Sequence, residues 1–198
     1  MQHTDMKHRI IYIIAAIVAA MLATGCSTTK RLGKDDILYT GLKGVDIETP
    51  DGEKFPSGVA STLENAVSVK PNNALLGSAK YRIPIPYGLW VYNNWPNPKS
   101  GFKHWIYEKL VEEPVLVSDV RPEVRVHMLD KLLDDNGYFS GTSSYELIQK
   151  KNKKKASILY RIEPGQPYLL DSIELLPDTT YLYHLIDSVA RGSRYLKP

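Results

Sequence analysis

The sequence predicts an α+β fold: a small sheet covered by helices. Three observations carry it. Apolar residues alternate with polar ones at Tyr145 and Leu147 and again at Ile158, Tyr160 and Ile162, which is the period of a strand packed on one face. They recur at intervals of three and four at Val59, Leu63, Ala66 and Val67, and along the face Val126, Leu129, Leu132 and Leu133, which is the period of a helix. Ahead of both helices, LYTGLKGVDIET (38–49) supplies a short strand through Leu42, Val45 and Ile47. The resulting order is strand, helix, helix, strand, strand, and then strand and helix once more.

The chain opens with Lys7, His8 and Arg9, followed by fourteen apolar residues (IIYIIAAIVAAMLA, 10–23) and the small residues Ala23, Thr24 and Gly25 before Cys26. That is the layout of a secretory signal peptide over 1–25. A helix of that length reaches about 21 Å, short of the roughly 30 Å hydrocarbon core, so a permanent span fits less well than removal. Residues 26–37, STTKRLGKDDI after the cysteine, are polar with little periodicity and are expected to form a flexible tether.

The first folded unit is expected over 38–165. Its first strand ends at the turn Pro50-Asp51-Gly52, its first helix runs from Ser57 to Val69, and Pro71 stops that helix. Residues 70–117 carry six prolines and form a long insertion between the two helices, with one helix inside it along Phe102, Trp105, Ile106, Lys109 and Leu110. Trp90, Tyr92, Trp95 and Trp105 crowd this insertion. They either pin it as a satellite core or form an exposed platform that stacks sugars or grips a partner. The second helix has Pro122 in its first turn and Gly137 at the left-handed position after its end. KKNKKK (150–155) is the turn between the next two strands, a solvated tip or an attractor of anionic lipid or an acidic client. From 166 the order restarts: a strand over 168–177 through Leu169, Ile173 and Leu175, then a helix over 179–193. One strand and one helix cannot bury a sufficient core, so 166–198 is expected to be the start of a second, incomplete repeat.

Cys26 is the only cysteine, so no disulfide forms within the chain, and the stretch around it offers no partner ligands for a metal. Small residues ahead of such a cysteine resemble the lipobox of bacterial lipoproteins, although Leu22 stands four places before Cys26 and Ala23 three. The resemblance implies that cleavage falls between Gly25 and Cys26 and that Cys26 carries diacylglycerol and a further acyl chain such as palmitate; the alternative is a free thiol after an ordinary cleavage, or an uncleaved anchor. Each buried CH₂ contributes about 0.8 kcal/mol, so two or more chains anchor a protein where one holds it only marginally. Ser27, rather than an aspartate, after the cysteine implies the outer membrane by the sorting habit of other lipoproteins.

LDKLLDDNGYF (129–139) and ILYRIEPGQPYLLDSIEL (158–175), in which one repeat's last strand passes through Pro164-Gly165 into the next repeat, resemble polypeptide-transport-associated (POTRA) repeats. Together with CSTTKRL and LYTG they look like the start of a lipoprotein version of the outer-membrane barrel assembly and translocation family, related to the translocation-and-assembly-module barrel component. The resemblance implies a POTRA-like β-α-α-β-β repeat facing the periplasm, which binds unfolded outer-membrane proteins or assembly-machine subunits by adding their strands to an exposed sheet edge. The insertion at 70–117 is long for such a repeat, and the family's barrel does not follow, so the chain is expected to be an N-terminal fragment or a truncated product.

Removing 1–25 takes away Asp5, Lys7 and Arg9 and lowers the net charge of +3 by one, which makes no case for nucleic acid. No HExxH, GxSxG or glycine-rich phosphate loop is present, and His104, His127 and His184 stand apart on predicted helices. The neighbouring pairs Glu112-Glu113 and Asp134-Asp135 point in different directions and make no acid/base pair. Binding without enzyme activity, cofactor or metal is therefore expected. The rival reading is a cell-envelope lipoprotein that binds glycan through Trp90, Tyr92, Trp95 and Trp105.

Overall fold

The computed structural model describes residues 28–52, 54–95, 99–149, 152–169 and 181–190. Three strands form one mixed sheet: β1 (Leu38–Ile47), β2 (Thr142–Gln149) and β3 (Lys155–Glu163), in the order β1-β3-β2. β3 lies in the middle, parallel to β1 and antiparallel to β2, and it is accordingly the most buried strand, with Ala156, Ile158, Tyr160 and Ile162 fully enclosed. A parallel pair needs a crossover, and two helices supply it here: α1 (Ser57–Val67) and, after the insertion, a helix over Pro122–Asp135. The α+β class read from the sequence is what the chain forms.

The core joins Leu63 and Val67 of α1, Leu129 and Leu133 of the second crossover helix, Tyr39 and Leu42 of β1, Ile158, Tyr160 and Ile162 of β3, and Tyr138. Each fully buried aliphatic side chain contributes about 1.5–3 kcal/mol, so this cluster is the principal stabilising term of the unit. β1 is irregular, with register shifts on either side of Leu42. Gly41 permits this: it has φ +112°, and a side chain there would start 2.7 Å from the Ala79 carbonyl that accepts the Leu42 N–H at 2.9 Å.

The insertion builds α2 (Tyr87–Asn94), α3 (Phe102–Leu110) and the single turn α4 (Val117–Val120), after which α5 (Pro122–Asp135) starts at Pro122 and β2 and β3 follow; the last described element is α6 (Tyr181–Ala190). α5 ends as its sequence predicts. Gly137 has φ +86°, its N–H donates to Asp134 O and the Tyr138 N–H to Leu133 O, both at 2.9 Å, so the last carbonyls of the helix are satisfied and Tyr138 closes over Leu133.

Two features differ from expectation. α1 ends at Val67 because Ser68 is already extended, three residues ahead of Pro71. The described part of the presumed tether, 28–37, is no tether: Thr28, Thr29 and Leu32 are buried, Leu32 shares a second small core with Leu38 and Leu89, and Lys154 Nζ donates to the carbonyls of Leu32 (3.1 Å) and Gly33 (2.7 Å). One lysine of the hairpin tip thus holds Leu32 and Gly33 in place. Lys150, Lys151 and most of the strand expected over 168–177 lie outside the described residues, while the expected helix over 179–193 is represented by α6.

Candidate functional site

The sheet has two edges, and they are treated differently. β1's outer side is covered by the insertion: Tyr39 N–H donates to Val115 O (2.8 Å), Leu42 N–H to Ala79 O, and Leu38 bridges Leu116. β2 has β3 on one side and, among the described residues, no strand on the other. Its sequence, TSSYELIQ, contains neither proline nor lysine, two residues that commonly blunt a free edge. Thr142, Ser144 and Glu146 stand on its exposed face, where Glu146 pairs with Arg161 of β3 at 2.9 Å. On the other face Tyr145 reaches α5 and its hydroxyl donates to Glu123 at 2.5 Å. That bond lowers the Glu123 carboxyl and raises the Tyr145 phenol from their ordinary values. The edge strand is therefore tied to the helix layer at its middle, and among the described residues no strand pairs with its outer backbone.

The aromatic residues singled out from the sequence all fall on the α2–α3 hairpin or its connection. The hairpin is antiparallel: the Glu112 N–H, just past α3, donates to Gly88 O at the start of α2, and a side chain at Gly88 would meet Leu110 O at 2.9 Å. Trp90 and Trp95 meet edge to face with centroids 5.6 Å apart and are half-buried, as is Tyr92, over whose ring the Arg31 guanidinium sits at 5.7 Å. Trp105 is 57 % exposed and stacks on Phe102, itself 74 % exposed, at 5.9 Å. The aromatics divide by burial: Trp90, Tyr92 and Trp95 are half-buried, while Trp105, beside Phe102, presents ring surface outward.

No family model, curated protein or solved structure matches the chain. Function is accordingly read from these two surfaces and from the sequence. Cys26 and Gly25, the expected lipidation and cleavage positions, lie outside the described residues. His104 pairs with Glu108 at 3.3 Å, one turn along α3, and among the described residues no group of three or more His, Cys, Asp or Glu is placed to hold a metal. Among the described residues, too, no helix is long and apolar enough to cross a membrane.

A shallow cleft of about 380 Å³ lies between α4 and the start of α5, lined by Asp119, Arg121, Val124, Arg125 and Met128. Arg125, one of its two arginines, donates to Val120 O (2.9 Å) and Ala66 O (2.7 Å) and so joins α1 to α4. Its chemistry is structural. Sequence reasoning missed Asn93, whose buried amide donates to Thr28 O (3.1 Å) and accepts the Arg31 N–H (3.0 Å), docking residues 28–31 onto α2. An asparagine inside an apolar helical stretch was the only signal available.

Proposed function

We propose that this chain is a lipid-anchored, periplasmic binding module of an outer-membrane protein assembly or translocation machine. Its sheet and helices make a POTRA-like repeat with an insertion between the helices, and 166–198 begin a second repeat. Cys26 carries the lipid, and β2 receives an extended segment of an unfolded outer-membrane protein or of a partner subunit. The observation that carries the reading is the position of β2: an eight-residue edge strand beside a fully buried central strand, with the opposite edge of the sheet already covered.

An added strand gains roughly 0.5–1.5 kcal/mol net per backbone hydrogen bond and loses much of that gain to its own ordering. Binding is therefore weak and renewable, as suits a protein that hands its client on. A backbone-directed site also tolerates many sequences, because side chains only alternate between the two faces of the sheet.

The test is a titration of the isotopically labelled soluble chain with a peptide of an outer-membrane barrel strand, followed through backbone amide shifts. The reading expects the shifts to concentrate at 142–149. A saturating response elsewhere, or none at millimolar peptide, contradicts it. Lipidation is checked separately with Cys26→Ala, which is expected to abolish acyl labelling and tight membrane association; retention of both refutes the anchor.

A further inference from the structure

The docking of residues 28–32 fixes which side of the protein a lipid on Cys26 would face. Thr28 is held against α2 by Asn93, Arg31 lies over Tyr92, and Leu32 is buried beside Leu89. Cys26 precedes Thr28 by two residues, and two residues of chain reach about 7 Å at full extension. The anchor therefore leaves the body beside the end of α2.

The start of α2 lies against the end of α3, and the six residues 96–101 link Trp95, just past the end of α2 that receives Thr28, to Phe102 at the start of α3. Phe102 and Trp105 are exposed there as a stacked pair. Residues 28–32, 87–95 and 99–106 carry Lys30, Arg31, Lys99 and Lys103 and no aspartate or glutamate. Aromatic rings flanked by these cations match the headgroup region of an anionic bilayer, and the exposed carboxylate of Glu108, one turn along α3, is paired with His104.

We propose that the α2–α3 hairpin is a membrane-docking surface: Phe102 and Trp105 enter the interface of the bilayer that holds the Cys26 lipid, and Lys30, Arg31, Lys99 and Lys103 lie against its anionic headgroups. This rests on the acylation of Cys26 proposed above. The occupant is lipid because the chain length places it there, within the reach of two residues. Docking gives the anchor a second attachment and sets the orientation of the body on the membrane, where a lipid on a loose tether would leave it to tumble.

The experiment uses the full acylated chain in vesicles of phosphatidylethanolamine with a minor share of phosphatidylglycerol, in which the lipids are brominated high on the acyl chain. Acylation is first verified by mass spectrometry of the N-terminal peptide. Interfacial burial of roughly 5–10 Å places Trp105, one of three tryptophans, within reach of the bromines and predicts that total tryptophan emission falls by up to about a third relative to unbrominated vesicles. Phe102→Asp, at an exposed position, is expected to restore most of the emission, and Lys103→Glu to restore part of it.

Acylated protein whose emission is unaffected by bromination overturns the proposal and leaves the lipid anchor standing. Protein that proves unacylated overturns both. Emission that responds to soluble cell-envelope glycans and not to brominated lipid also overturns it, in favour of a sugar-stacking platform.

Discussion

Leu133→Ala probes the joint between the helix layer and the sheet. Leu133 is fully buried in the main core and lies on the last turn of α5, where its Cδ1 comes within 2.8 Å of the point at which a side chain would begin on Gly141. The substitution deletes three carbons, about 2.4 kcal/mol at 0.8 kcal/mol for each buried methylene. The hole is bounded by backbone at Gly141 and by Tyr138, which is pinned by its own N–H to Leu133 O, so it cannot close freely. A residual cavity raises the cost to about 3–4 kcal/mol, within the range for buried leucines. For a domain of this size that is a fall in Tm of about 10–15 °C. Urea denaturation of a soluble form beginning at Ser27, followed by circular dichroism, measures it, with Val124→Ala on the exposed side of the same helix as the comparison. The comparison is expected to stay within about 0.5 kcal/mol of the unsubstituted protein. A loss below about 1 kcal/mol for Leu133→Ala, or equal losses for the two, would mean that α5 does not cover the sheet with the face assigned to it.

Three other outcomes follow from the same structure. Gly137→Val is expected to cost more than the ~1 kcal/mol typical of a point mutation, because φ is +86° and the new side chain would start 3.0 Å from Tyr168 O; Gly137→Asn should cost less, and denaturant midpoints of the two decide it. Asn93→Ala removes the amide that holds Thr28 and Arg31, a loss of about 1–3 kcal/mol of local docking, so tryptic cleavage after Lys30 and Arg31 should quicken by about ten-fold; an unchanged rate refutes the docking of residues 28–31. Burial pushes the Tyr160 phenol, whose hydroxyl has no hydrogen-bond partner among the described residues, up to about 12 and raises that of Tyr39 as well. The unfolded chain releases these protons near the ordinary phenol value of about 10, so stability is fully present below about pH 10 and falls as pH rises toward 12. Tyr160→Phe should flatten that decline in a series of urea midpoints, and a profile as steep as the parent's would refute the assignment.

What the sequence made legible was set by period. Val59, Leu63 and Val67, and Leu129 and Leu133, repeat as one face of a helix, and Ile158, Tyr160 and Ile162 alternate as a strand, because each element buries one side against the same core. The cap at Gly137 was legible for a local reason, since only the residue after the helix needs a positive φ. α2 was not, because eight residues behind Pro84 and Pro86 are too few to show a period. The docking of 28–32 was hidden for a different reason: a polar stretch reads as solvated, yet here the carbonyls of Thr28, Leu32 and Gly33 are satisfied by Asn93 and Lys154, which lie more than sixty residues away in the chain. Of the candidate surfaces, the aromatic residues were identifiable and their pairing was not. Arg31 over Tyr92 and Phe102 on Trp105 are facts of position. That β2 has no strand on its outer side among the described residues is likewise a property of strand order, which no single strand encodes.

Strand addition at β2 is the central claim, and site-specific photocrosslinking in cells tests it most directly. A benzophenone side chain at Ser144, exposed on the edge strand, is compared with one at Lys131, exposed on the helix layer. The account predicts crosslinks from Ser144 to unfolded outer-membrane proteins or to subunits of the assembly machine, and loss of those crosslinks when a proline is placed at an edge amide of β2. Crosslinks from Lys131 alone, or Ser144 crosslinks that survive the proline, would contradict it.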